Sequence, residues 1–293
     1  TAVIEIAKAA GLTLLSEEER NPLYTTTYGV GEVIKDAVRN GCRKFIVGIG
    51  GSATNDGGAG MLQALGFGLL KENGEQIPIG ARGLEELAEI TDDNVIPELA
   101  ECKFKIACDV TNVLCGETGA SAVYGPQKGA DEEMTERLDR LLFSYASLVK
   151  KKIPKADSMY PGTGAAGGLG FAFLTFMDAQ LESGIQIVIK ETGLEQEIAK
   201  ADLVITGEGR MDGQTAMGKA PIGIAKIAKK YGKPVIAFAG AAARDAGACN
   251  EQGIDAFFPI LREAVSLEAA MKRENAEANM EAAVEQAYRL CRL

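Results

Sequence analysis

Between Lys44 and Leu65 the chain reads KFIVGIGGSATNDGGAGMLQAL, and this order of residue types leaves few folds open. Phe45-Ile46-Val47 is a short apolar run of the kind that forms a buried strand. Gly48, Gly50, Gly51, Gly57 and Gly58 follow within eleven positions. Met61, Leu62 and Leu65 then return to a helical spacing. A strand therefore feeds a glycine-rich loop, and the loop feeds a helix N-terminus, which is the opening of an α/β unit. Unpaired backbone N–H groups and the positive end of the helix dipole meet there, an arrangement suited to an anion. The loop is not a GxxxxGK[ST] phosphate loop, and Gly48-Ile49-Gly50-Gly51-Ser52-Ala53 is out of register with GxGxxG. A tight turn that needs glycine for its geometry alone gives the same spacing. Ser52, Thr54, Asn55 and Asp56 favour a ligand, because a turn serving only geometry needs no such polar side chains.

The rest of the chain extends the α/β pattern. A strand is predicted near Thr1–Ala7 and a helix over Gly29–Asn40, with Thr27 as its cap and Val33, Ile34 and Val38 facing inward. Phe67–Leu70 and the Asn73-Gly74 turn read as a hairpin, and Phe104–Cys108 reads as a second buried strand. Met134, Leu138, Leu141, Leu142, Tyr145 and Leu148 form one stripe of a helix from Asp131 to about Lys152. Two more glycine-framed stretches occur, Tyr124–Gly129, with Lys128 at its tip, and Pro161–Gly170, which leads into a predicted helix Phe171–Leu181. From Ala201 the alternation is plain: strands at Asp202–Thr206, Lys233–Ala239 and Ala256–Ile260, a helix over Pro221–Lys230, and a helical region over Ser266–Arg292. Parallel crossovers put ligands at the carboxyl ends of such strands, where the Gly207–Asp212 loop is expected.

Composition narrows the chemistry. The 293 residues contain no histidine, which excludes Ser-His-Asp and Cys-His catalysis and histidine-ligated metals. Carboxylates, Lys, Arg, hydroxyls and backbone amides must carry any reaction. A net charge of −10 argues against a nucleic-acid partner. No apolar run reaches membrane-spanning length, and no signal peptide is visible. Cys42, Cys102, Cys108, Cys115, Cys249 and Cys291 form no CxxC pair and read as reduced thiols, so a cytoplasmic location is expected.

Polar clusters follow the apolar strands: Asn55 and Asp56, Asp109 and Asn112, Glu208 with Arg210 and Asp212. Sheet-anchored carboxylates suit Mg²⁺ or base work, and Lys128, Arg210 and Lys219 could offset charge on a phosphoryl group. An Asp in such a place also serves as a helix cap.

Four stretches in the same order, GIGGSATNDGGAGMLQALG (48–66), CDVTNVLCGETGASAVYGPQKGA (108–130), PGTGAAGGLG (161–170) and ITGEGRMDGQTAMGKAPIGIA (205–225), resemble the bacterial glycerate kinase type I family. The resemblance implies ATP-dependent, Mg²⁺-assisted phosphorylation of D-glycerate at its 2- or 3-hydroxyl. It also implies two α/β domains, one Rossmann- or flavodoxin-like with a parallel sheet and one with a mixed sheet, placed here at 186–293 and 1–185. D-glycerate and ATP are then the expected small-molecule partners. Asp56, Asp109, Lys128 and Arg210 are the expected catalytic residues, with Asp56 and Asp109 at the metal. Gly50, Gly51, Ser52, Thr54, Asn55, Gly57, Asn112, Glu208 and Asp212 are expected to bind substrate or phosphate. Family members begin with APDSFK-type and DGGEGT-type motifs that this sequence lacks, so the chain by itself is expected to turn over glycerate poorly or not at all. A kinase for another small hydroxy acid, or a non-catalytic module binding a sugar acid or nucleotide, shares the same loops.

Overall fold

The structure, a computed structural model, describes residues 1–292, with Cys291 described for its backbone alone. The chain divides into two compact units, 1–184 and 185–293. The first contains β1 (Ala2–Glu5), β2 (Lys44–Gly48), β3 (Gly68–Leu70), β4 (Glu89–Thr91), β5 (Lys103–Ala107) and β6 (Ala179–Glu182). Four of these form a parallel sheet in the order β1-β2-β5-β6, and β3 and β4 pair antiparallel as a separate ribbon. The expected mixture of strand directions is thus divided between two sheets and does not occur within one.

The core of this unit lies between the sheet and its helices. Phe45 and Phe104 are register partners on β2 and β5, and their rings stack at 4.7 Å. Phe104 also meets Phe173 at 5.7 Å, tying the sheet to the helix Ala165–Phe176. Each such aromatic pair adds roughly 0.5–1.5 kcal/mol beyond its buried area. The long helix Glu132–Lys152 follows its sequence pattern closely. Asp131 caps it by accepting the Met134 N–H at 2.8 Å, and Lys150, Lys151 and Lys152 face the negative end of its dipole. Leu138, Leu142, Tyr145 and Val149 fill its buried face.

The second unit has a parallel sheet β7-β8-β9, built from β7 (Val204–Met211), β8 (Val235–Ala242) and β9 (Ala256–Pro259). The helix Ala220–Lys230 carries Pro221 in its first turn and buries Ile222, Ala225, Ile227 and Ala228. Among the described residues, no helix is long and apolar enough to cross a membrane.

Three sequence expectations change. The helix predicted over Phe171–Leu181 stops at Phe176, and Ala179–Glu182 is β6. That strand pairs on one side only, with β5, so it carries Gln180 and Glu182 and lacks the apolar run that marks a central strand. The Gly207–Asp212 segment is strand and not loop as far as Met211, which pairs with Ala242. Its glycines conceal the strand because two backbones touch there: a Cβ on Gly207 would stand 2.3 Å from the Phe238 carbonyl oxygen. Finally, Thr27 precedes the helix Tyr28–Arg39 without capping it by its side chain. Its hydroxyl accepts the Met61 N–H at 2.9 Å, at the start of a different helix, Ala59–Ala64.

Candidate functional site

In the first unit, the carboxyl ends of β2 and β5 open on a cavity of about 320 Å³. The turn after β2 supplies Ile49, Gly50, Gly51 and Ser52, and the turn after β5 supplies Cys108, Asp109 and Val110. Tyr124, Gln127 and Lys128 come from the second glycine-framed stretch, and Ala165 and Ala166 from the third. All three stretches therefore reach one cavity, at the end of the sheet where parallel α/β folds hold ligands.

The glycines divide into two sets. Around Gly50 there is nothing within 4 Å of where a Cβ would stand, so this backbone is bare toward the open space. Gly57, Gly58, Gly167 and Gly168 are glycines for a different reason. The Gly57 N–H donates to the Gly167 carbonyl at 2.9 Å, and a Cβ on Gly167 would lie 2.0 Å from the Thr54 oxygen. The third stretch thus packs backbone against backbone on the first, and this contact holds the cavity wall.

Asp56 lies behind that wall. It is wholly buried, and its carboxylate accepts from the Thr27 N–H at 2.8 Å, from the Thr27 hydroxyl, from the Gly58 N–H at 3.1 Å, and from the Thr26 hydroxyl and Gly60 N–H at 3.3 Å. Burial pushes its pKa up, and the bonds from Thr27, Gly58 and Gly60 oppose that shift. Asp56 does not line the cavity. This position does not support the expected base or metal ligand: the carboxylate joins the entry of the helix Tyr28–Arg39 to the start of the helix Ala59–Ala64.

Thr54 and Asn55 share this interior position. The Thr54 carbonyl accepts from Lys128 at 2.6 Å, and Asn55 Nδ2 donates to Ser121 Oγ at 2.9 Å. Thr54 Oγ1 and Asn55 Oδ1 are buried without a hydrogen-bond partner among the described residues. Asn112 acts as a brace: its side chain accepts from Tyr124 at 2.6 Å and donates to the Thr118 carbonyl, and its own carbonyl accepts from the Gly162 and Gly164 N–H groups.

Asp109 is exposed on the cavity wall, with one oxygen accepting the Gly184 N–H at 3.0 Å. Lys128, expected at a loop tip, is 2% exposed and donates to Ser52 Oγ at 3.1 Å as well as to Thr54. Burial pulls its pKa down to about 8, while the negative charge of Asp56 acts to raise it. No group of three or more Cys, Asp or Glu side chains is placed to hold a metal among the described residues. A magnesium ion arriving with nucleotide phosphates needs only one or two protein carboxylates, and Asp109 fits that requirement.

In the second unit, Asp212 caps the helix Gly213–Ala216, accepting the Thr215 N–H at 3.1 Å while Thr215 Oγ1 accepts the Asp212 N–H. Desolvation works against its charge, but the Thr215 bond and Lys219, 3.8 Å away, hold the carboxyl below its usual range. Arg210 is exposed on β7, and Glu208 is half-buried there, with Oε1 lacking a partner among the described residues.

Tyr124, Gln127, Cys108 and Ala166 line the cavity although nothing in the residue types singled them out. Ala166 carried one latent signal, its place in an Ala-Ala-Gly-Gly run. It holds φ at +52°, a left-handed conformation that costs a non-glycine residue about 1–2 kcal/mol. Ala166→Gly is therefore expected to raise stability by about 1 kcal/mol, measured by urea unfolding. A loss of stability would mean that the alanine methyl has a packing role that outweighs the backbone strain.

Comparison with known proteins gives concordant likenesses. A family model described as the glycerate kinase family matches residues 1–292. The chain is 50% identical over 272 residues to a glycerate kinase of Halalkalibacterium halodurans, covering 93% of this chain and 72% of that protein. It is 49% identical to a glycerate 2-kinase of Escherichia coli K12, covering 93% and 71%. A crystal structure of a Salmonella typhimurium LT2 protein described as a glycerate kinase 2 superposes with a TM-score of 0.86 at 47% identity, covering 99% of this chain and 75% of that one.

Proposed function

This chain belongs to the glycerate kinase family, and on that premise we propose that it transfers the γ-phosphoryl group of ATP to D-glycerate. The family match over residues 1–292 is the observation that carries this reading. The E. coli relative bears the name glycerate 2-kinase, which favours the 2-hydroxyl as acceptor and 2-phosphoglycerate as product.

The cavity at the carboxyl ends of β2 and β5 is the proposed seat of the reacting hydroxy acid. It has room for a three-carbon acid beside a phosphoryl group, and the bare backbone at Gly50 lets an anionic oxygen come close. Phosphoryl transfer asks mainly for positioning and for charges placed where they develop. Asp109 is the proposed contact for magnesium, which when bound neutralises phosphate charge. In the second unit, Arg210 is the proposed contact to phosphate.

The test is ADP release over a panel of small hydroxy acids, with product identified by ³¹P NMR and binding followed by thermal stabilisation. D-glycerate is expected to be the preferred acceptor, giving the 2-phosphate. Preference for another acid would replace the substrate, and stabilisation by glycerate and ATP without turnover would replace the reaction by binding alone. Asp109→Asn is expected to lower kcat roughly 10–100-fold and to raise the magnesium concentration needed for half-maximal rate. Unchanged magnesium dependence would remove Asp109 from the metal.

A further inference from the structure

The reaction proposed above needs a group to take the proton of the attacking hydroxyl. The sequence points to Asp56 for that task, and the structure seals Asp56 inside the fold, its oxygens occupied by Thr26, Thr27, Gly58 and Gly60. Asp109 sits exposed on the wall with one oxygen held by Gly184. The other titratable groups lining the cavity are Cys108, Tyr124 and Lys128. Burial pushes both the Cys108 thiol and the Tyr124 phenol up, and the phenol donates to Asn112.

Ser52 and Lys128 remain, and their arrangement is specific. Both line the cavity and both are nearly inaccessible, at 5% and 2% exposure. Ser52 Oγ and Lys128 Nζ are 3.1 Å apart, and the Thr54 carbonyl fixes Nζ at 2.6 Å. The amine is thus held by two protein oxygens, and the serine hydroxyl lies beside it on the same cavity wall. Resting on the kinase reading, we propose that Ser52 and Lys128 form a proton relay for the attacking hydroxyl of the substrate.

The substrate oxygen forms its bond to the γ-phosphorus as the bond from that phosphorus to the β,γ-bridging oxygen breaks, and ADP leaves with the electron pair. The hydroxyl proton passes to Ser52 Oγ while the proton of Ser52 passes to the neutral amine of Lys128. Lys128 becomes an ammonium and returns its proton to solvent after product release. A base must be neutral before it can accept, and burial brings the amine into the range where a substantial neutral fraction exists near pH 8. Asp56 is the charged group that opposes this, from behind the wall.

The relay predicts a direction that a purely electrostatic lysine does not. With D-glycerate and ATP, kcat rises with pH and levels off above about 8. Ser52→Ala and Lys128→Met each lower kcat by about 100-fold or more, and the double variant is no worse than the single ones, as expected of groups acting as a unit. Lys128→Arg, which keeps the charge and cannot become neutral, loses as much as Lys128→Met. Retention of kcat within about threefold in Lys128→Arg, or a wild-type kcat that falls as pH rises through this range, would make Lys128 a cation for phosphate and overturn the relay. NMR titration of ¹³C-labelled lysine supplies a readout independent of turnover: a Lys128 resonance titrating near 8 supports the proposal, and one titrating with the surface lysines overturns it. If the wild-type protein gives no turnover of D-glycerate, thermal stabilisation by D-glycerate and ATP decides the parent reading, and the NMR titration decides the state of Lys128.

Discussion

Asp56→Asn is expected to destabilise the first unit by about 3–5 kcal/mol, a fall in Tm of roughly 10 °C. The residue type alone suggests the opposite result, lost turnover with an unchanged Tm, because an Asp beside a glycine loop reads as a metal or base residue. Burial reverses this. Three backbone N–H groups, of Thr27, Gly58 and Gly60, donate to the carboxylate, and none of them can act as an acceptor. An asparagine must turn its own NH₂ toward some of these donors. Each buried donor left unpaired costs about 1–3 kcal/mol. The measurement is thermal and urea unfolding of the variant beside the wild type. A Tm within about 2 °C of wild type, combined with lost activity, would return Asp56 to the chemistry.

Lys128 gives the second large effect, a stability that depends on pH. Its pKa is about 8 in the fold, against an ordinary 10.5. Below both values the amine is charged in the folded and unfolded chains alike. Between them the unfolded chain binds a proton that the folded chain does not, so this residue's contribution to stability grows as pH rises. The full gain over that interval is about 3 kcal/mol. Cys115 works in the opposite direction at high pH, because burial raises its thiol to about 12 and ionisation favours the unfolded chain. Comparison with Lys128→Met therefore isolates the effect. The variant should be most favoured at pH 7, and its advantage should shrink by about 3 kcal/mol toward pH 10.5. A difference that does not change with pH would show that Lys128 is charged throughout. A residue that costs stability at neutral pH and lines the cavity fits a site held for function.

The α/β class, the parallel strands and the long helix Glu132–Lys152 were all legible. Each rests on local periodicity that burial against a core enforces: Phe45, Phe104, Leu138 and Leu142 are where apolar spacing puts them. The strand β6 was not legible, because a strand paired on one side needs no apolar run. The end of β7 was concealed by Gly207 and Gly209, residues that weaken a strand signal although close backbone approach requires one of them.

By themselves, the residues determined the kind of chemistry available: no histidine, glycine-rich turns after strands, and a small set of carboxylates and cations. They also marked three glycine stretches as important without saying which glycines face a ligand. Only tertiary structure decided that Gly50 and Gly51 line open space while Gly57, Gly167 and Gly168 hold one backbone against another. It likewise moved Asp56 from the cavity into the interior and drew Lys128 from an apparent loop tip to within 3.1 Å of Ser52. The physical reason is that a polar side chain's role depends on which donors surround it and how far it is from water. Those partners stand 29 positions away for Asp56 and 76 for Lys128, beyond the reach of any local pattern.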